Sequence, residues 1–176
     1  EALGGRVGHY VFVGTGQVYL VRETCPRPAQ ESDYDGPVKD RPTTEYELGN
    51  WEYGMGKRDC EDALVDAWKK SGFPATRIRI PIVQGERDHY QRLNPYGIRL
   101  LDGGPMILPD GGMHTMRHVY AGEVARFLSD LLGRENTFGE AYNVCQREMP
   151  TLSELVGMMA RMLGSNSKIV PIETPD

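Results

Sequence analysis

The chain has 176 residues, 39% of them hydrophobic and 26% charged, with a net charge of −5. That composition suits a water-soluble globular domain, or part of a larger one. The acidic balance argues against a nucleic-acid partner, whose footprint is basic, and no apolar run nears the roughly 20 residues that a membrane helix needs.

Glu1-Ala-Leu-Gly-Gly5 has neither the basic start nor the apolar stretch of a signal peptide. Cys25, Cys60 and Cys145 are widely spaced and form neither a metal pattern nor an evident disulfide set, so a reducing, cytoplasmic setting is the default.

In chain order, Glu1 to Gly8 reads as the tail of a helix and a connector. His9 to Val13 is an apolar, aromatic run expected to form a buried strand, broken by Gly14-Thr-Gly16. Arg22 to Thr44 is polar and Pro-rich and reads as a long surface loop. Trp51 to Lys70 reads as a helix ended by Gly72 and Pro74. Thr76 to Val83 follows as a strand with alternating Ile78, Ile80 and Ile82, closed by Gly85.

Glu86 to Leu101 reads as a loop and a helix. Pro105 to Leu108 is a short strand, Asp110-Gly-Gly112 a turn and Met116 to Tyr120 a further strand. Ala121 to Leu132 is amphipathic, and Ala141 to Val144 is a strand. Thr151-Leu-Ser-Glu154 matches a capping box ahead of a helix whose buried face is expected at Leu155, Met158, Met159 and Met162. Lys168 to Ile172 reads as a last strand. Alternating strands and helices predict an α/β layered fold.

Thr15, Tyr53 and Lys57 form the strongest candidate set. Tyr53 and Lys57 stand four residues apart, on one face of a helix. A free phenol has a pKa of about 10 and is a poor acid or base near neutrality, but a neighbouring ammonium favours its ionised form. The pair therefore reads as a general acid/base and its tuner. Thr15 ends a strand, and in open α/β sheets the carboxyl ends of strands line the ligand crevice. Against this, Tyr-x-x-x-Lys arises by chance in many helices, two glycines inside it weaken a helix, and Thr15 could serve as a local turn hydroxyl.

The order of several segments adds weight. Val11-Phe-Val-Gly-Thr-Gly-Gln-Val-Tyr19, Tyr53-Gly-Met-Gly-Lys57 with Glu61 beyond it, Arg77-Ile-Arg-Ile-Pro-Ile-Val-Gln-Gly85, Arg117-His-Val-Tyr-Ala-Gly-Glu-Val-Ala125 and Ala141-Tyr-Asn-Val144 follow one another. Together they resemble the extended short-chain dehydrogenase/reductases, the NAD-dependent epimerase/dehydratase family. The resemblance implies a partial Rossmann-like parallel sheet with a smaller C-terminal substrate-binding domain. Residues 1–85 would be the C-terminal half of the dinucleotide-binding domain, and 86–176 mainly substrate-binding, with 115–144 returning to the core.

It also implies NAD or NADP as cofactor and epimerase, dehydratase or reductase chemistry on a small molecule such as a sugar nucleotide. Tyr53 would move the proton. Lys57 would hold the nicotinamide ribose, Thr15 would position the substrate oxygen, and Pro81, Ile82 and Val83 would approach the nicotinamide. Gln17 and Arg117 join Thr15 as substrate-binding candidates. A homodimer through the Tyr53 helix is implied by the same likeness.

Three departures stand out. Gln84 replaces the usual Tyr and Pro81 is displaced. Met116 stands where sugar-nucleotide members often carry a phosphate-binding Arg, with Arg117 one position off and so facing the other way on a strand.

A dinucleotide fold needs a glycine-rich turn opening a helix. Gly14-Thr-Gly16 fails that pattern, since Tyr19 stands where the third glycine belongs. The expectation is that this half of the fold, about a hundred residues, precedes Glu1, and that the 176-residue chain alone binds NAD(P) poorly.

His114 and His118, with Asp110 and Glu123 nearby, would suit zinc on a helix, but the segment reads as strand, which separates the two histidines. Glu61 reads as a solvated or capping contact near Lys57. The alternative reading is a non-catalytic relative that binds RNA or regulates, which would require a basic face.

Overall fold

The computed structural model describes residues 5–173. The chain forms two compact units: Glu1–Pro81 with Gly122–Val144, and Ile82–Ala121 with Cys145–Asp176. The helix tail expected before Gly8 lies partly outside the described residues. Those from Gly5 to Gly8 form turn and bend rather than helix.

The first unit is built on a parallel sheet in the order β1 (Tyr10–Thr15), β2 (Ala75–Ile80), β6 (Ala141–Asn143). Val13 lies opposite Ile78 and Thr15 opposite Ile80, and Ile78 opposite Tyr142. Parallel neighbours require long crossovers. Between β1 and β2 the crossover ends in α2 (Glu45–Ser71), and α4 (Ala121–Leu131) precedes β6.

Side chains alternate along β2. Thr76 and Ile78 are fully buried on one face, while Arg77 and Arg79 turn to the other, towards α2. The strand stops at Ile80 because Pro81 has no N–H for the ladder. Ile82 to Gln84 then form β3 in the second unit, so the single strand expected over Thr76 to Val83 is two.

The helix α2 begins at Glu45, ahead of the expected Trp51. Thr44 stands in the extended N-cap position with its Oγ1 2.5 Å from Glu47 Oε2, and Glu45 and Glu47 suit the positive end of the helix. It ends as expected at Gly72, whose φ of 64° suits a left-handed cap.

The stretch read as a surface loop is pinned down. It holds a 3-10 turn (Glu31–Tyr34), an Arg22–Val38 bridge, and Tyr34 buried with Val18 and Tyr19 of the one-turn helix α1 (Gln17–Leu20).

The second unit contains two two-stranded parallel sheets. One pairs β3 (Ile82–Gln84) with β5 (His118–Tyr120), the other β4 (Met106–Pro109) with β7 (Ile169–Ile172). Helices α3 (Asn94–Asp102) and α5 (Leu152–Leu163) pack a core of Leu100, Met106, Leu108 and Val156.

The capping box is present in full. Thr151 Oγ1 accepts from the Glu154 N–H at 3.1 Å, and Glu154 Oε2 from the Thr151 N–H at 2.8 Å. The expected Met face is only partly right. Met159 joins the core beside Val156, but Met158 and Met162 face outward, Met162 with 86% of its surface exposed. The true buried stripe is Leu152, Val156, Met159 and Ala160, set one residue from the expected one.

Candidate functional site

The candidate set lies in the first unit. Thr15 is the last residue of β1, and the pairing with β2 runs past it through a Gly16 N–H to Ile80 carbonyl bond of 2.9 Å. Its Oγ1 accepts from the Gln17 N–H at 3.2 Å, which opens α1. A hydroxyl has one proton and two lone pairs, so this local bond leaves the proton for another acceptor.

Lys57 reaches from α2 to the strand. Its Nζ donates to the Val13 carbonyl at 3.3 Å, lies 5.0 Å from the Phe12 ring centre and 6.0 Å from that of Tyr53. Tyr53 and Lys57 thus share the face of α2 that meets β1, and the phenol is half exposed, at 52%. Among the described residues no hydrogen bond joins Thr15, Tyr53 and Lys57 to one another.

The glycines of Tyr53-Gly-Met-Gly-Lys57 differ in role. A Cβ on Gly54 would lie 2.5 Å from Val21 Cγ1 and 3.2 Å from Gln17 Cγ, so its bareness lets α1 press against α2; around Gly56 there is open space. Gln17 is held in that contact, its Nε2 donating to the Asn50 carbonyl at 3.3 Å.

A model of the NAD-dependent epimerase/dehydratase family matches residues 2–145. The chain belongs to that family. No curated protein sequence matches it.

Among solved structures, the UDP-glucose 4-epimerase of Thermotoga maritima superposes with a TM-score of 0.71 at 21% identity, over 97% of this chain and 52% of that one. UDP-N-acetylglucosamine 4-epimerase of Methanobrevibacter ruminantium gives 0.70 at 20% identity, over 97% and 52%. A dTDP-glucose 4,6-dehydratase of Streptomyces venezuelae gives 0.68 at 23%, over 99% and 50%. These likenesses concern the fold, and the chain spans about half the length of each of the three.

The remaining candidates in this family member fall as follows. Pro81 closes the first unit and is partly buried. In the second unit Ile82 is exposed and Val83 partly buried on β3. Arg117, just before β5, spends Nη1 on the Gln146 carbonyl at 3.0 Å. His114 pairs with Asp110 at 3.1 Å and is exposed. His118 has a buried Nε2 without a hydrogen-bond partner, and burial, with the nearby Arg92 charge, lowers its pKa. Among the described residues no cluster of three or more His, Cys, Asp or Glu could hold a metal ion.

Sequence reasoning missed the layer behind the pair. Glu61, expected at the surface near Lys57, is completely buried. Its carboxylate accepts Nε of Arg79 at 3.0 and 3.1 Å and Nη2 at 2.7 Å, with Arg77 Nη1 at 3.8 Å. Burial opposes the charge of Arg79, but the bonds to Glu61 and Tyr19 outweigh it, and its pKa is raised. Arg79 Nη1 donates to the Tyr19 hydroxyl at 2.7 Å, which donates to Asn143 Oδ1 at 2.7 Å.

The available signal was Arg77-x-Arg79 inside a strand read as buried. Buried guanidinium groups demand a carboxylate, and Glu61 is the acid that helical spacing puts in line with Lys57.

A cleft of about 510 Å³ opens beside this layer, lined by Tyr34, Asp62, Lys69, Arg77, Arg79 and Glu140 among others; none of Thr15, Tyr53 and Lys57 lines it.

Proposed function

We propose that the chain is the part of an NAD(P)-dependent epimerase/dehydratase-type oxidoreductase that carries its Tyr–Lys–Thr acid/base set, acting at a hydroxyl or carbonyl of a small molecule, with a sugar nucleotide as the leading substrate class. The observation that supports this is the Lys57–Val13 contact, on the same face of α2 as Tyr53 and two residues short of the strand-end hydroxyl of Thr15.

The parts suit their roles. The Lys57 ammonium has three protons and gives one to Val13, so two remain for the hydroxyls of a nicotinamide ribose. The half-exposed Tyr53 phenol can meet a substrate oxygen, giving or taking its proton. Thr15 keeps its own proton for the same oxygen. Bound NAD or NADP supplies the hydride acceptor or donor. Pro81, Ile82 and Val83 are proposed for the nicotinamide side, and Gln17 and Arg117 for substrate. The solved structures that share the fold include 4-epimerases, one of them with UDP-glucose.

The test is Tyr53→Phe in the full-length protein, assayed on a panel of UDP- and dTDP-sugars with NAD and NADP. Loss of a general acid/base should cost about 10²- to 10⁴-fold in turnover. Turnover equal to the parent's would sink the acid/base role of Tyr53, whereas a parent that turns over nothing on the panel would leave the non-catalytic reading.

A further inference from the structure

On the helix that carries Tyr53 and Lys57 the apolar side chains Trp51, Met55, Leu64 and Val65 are only partly buried, and Trp68 meets Phe138 edge-on. Over the 27 residues of α2 the buried positions are Gly54, Arg58 and Glu61. A helix usually sits on a stripe of aliphatic side chains. Here the fully buried side chains are polar, and Glu61 makes three bonds of 2.7 to 3.1 Å to Arg79.

Glu61 stands one helical turn beyond Lys57 and two beyond Tyr53. Its carboxylate meets the guanidinium of Arg79 through a fork at 2.7 to 3.1 Å, with both side chains buried. Such a fork fixes direction as well as distance. Stability alone does not account for it, because well-packed apolar pairs of like volume often serve as well or better.

The carboxylate also lies against the site's own strand. A Cβ on Gly14, the residue before Thr15, would stand 3.1 Å from Glu61 Oε1 and 2.9 Å from the Ile78 carbonyl. Arg79 is itself held from several sides. Its Nη1 bonds the Tyr19 hydroxyl at 2.7 Å and the Glu31 carbonyl at 3.2 Å, and Tyr19 is tied to Asn143 of β6. The fork therefore ends on a post braced by α1, the loop and the sheet.

We infer that Glu61 is a positioning residue: through Arg79 it sets the rotation and height of α2, and with them the places of Tyr53 and Lys57 at the end of β1. The inference rests on the reading of Tyr53 and Lys57 as the working pair, but the registry can be measured without turnover.

The chain has five lysines. Among the described residues Lys57 is the lysine placed over aromatic rings, 5.0 Å from the centre of Phe12. With ε-¹³C-lysine label its methylene resonance should be displaced by the ring current, and Lys57→Arg identifies it by deletion.

The paired change Glu61→Leu with Arg79→Met removes both charges and keeps the volume. Glu61→Asp keeps the charge but shortens the reach by one methylene. The displaced resonance should move to the position of the other lysines in the first variant and part of the way in the second. Tyr34→Phe, which removes the Tyr34–Asp62 bond of 2.9 Å in the same layer, should lower stability and leave the resonance in place.

A resonance at its parental position in the Glu61→Asp protein, and in the paired variant where that one folds, overturns the inference. Failure of the acid/base reading shows separately, as unchanged turnover in Tyr53→Phe.

Discussion

Lys57 of α2 donates from Nζ to the carbonyl oxygen of Val13, 3.3 Å away, two residues before β1 ends at Thr15. One side chain thereby joins the phenol-bearing helix to the strand that ends in a hydroxyl, and that bond uses one of the three ammonium protons.

Lys57→Met keeps the aliphatic stem and deletes the ammonium. The bond to Val13 lies at an exposed position, so unfolding free energy should fall by about 1 kcal/mol in urea denaturation. On the proposed acid/base reading, turnover of the full-length protein should fall much further, by about 10²-fold or more. A turnover loss no larger than the loss of folded protein would make Lys57 a structural tie and no more.

Gly54 and Gly56 give a matched pair. At Gly54 an added methyl meets Val21 Cγ1 at 2.5 Å, and Val21 is buried. Overpacking of about 1–3 kcal/mol should exceed the gain of about 1 kcal/mol from replacing a helical glycine. At Gly56 nothing stands within 4 Å, so the same change should stabilise by up to about 1 kcal/mol. Thermal melts of Gly54→Ala and Gly56→Ala should move in opposite directions. Movement in the same direction would show that α1 and α2 are not in the contact described.

The burial of Glu61 predicts a third asymmetry. Glu61→Ala leaves Arg79 charged and unpaired in the interior, with Arg77 also losing its carboxylate, and should cost about 3–5 kcal/mol, whereas Glu61→Leu combined with Arg79→Met should recover the Arg79 part of that loss. Denaturant midpoints of the three proteins decide it. Equal damage from the single and paired changes would mean that the stranded Arg79 charge is not the source of the loss.

Local pattern carried the sequence reading where it succeeded. The Thr151–Glu154 capping box and the left-handed Gly72 are signals confined to a few residues, and each lies where expected; the run from His9 also forms a strand, but β1 continues through Gly14 to Thr15 and Gly14 is its one buried residue. What depended on distant partners was less legible. The Met158–Met162 side of α5 looked apolar enough to be buried, yet the core settled on Val156 because Leu100, Met106 and Leu108 meet it there. Glu61 looked like a surface acid because its partner lies 18 positions away on β2, a pairing that only the β1–α2–β2 crossover creates. The Thr15–Tyr53–Lys57 set was legible as residue types in order. The Lys57 bond to Val13, which couples helix to strand, was not.

His9 gives the pH prediction. The Gly133 N–H donates to His9 Nδ1 at 3.0 Å, so Nε2 must carry the ring proton and donate it to Thr76 Oγ1 at 2.9 Å; the Thr76 hydroxyl passes its own proton to the Thr137 carbonyl at 2.7 Å. This chain of donors requires a neutral ring, since protonating Nδ1 would set it against the Gly133 N–H. Burial lowers the His9 pKa from its ordinary 6.5 in the same sense.

The unfolded chain then takes up the proton first, so the His9 contribution is whole above about pH 6.5 and is lost as pH falls below that value towards the folded pKa. His118, whose pKa is also lowered by burial, adds a loss of the same sign. Urea midpoints taken between about pH 7.5 and 5.5 should decline for the parent and decline less for His9→Gln. An identical slope in the two proteins would show that His9 is not held neutral by the Gly133–Thr76 pair.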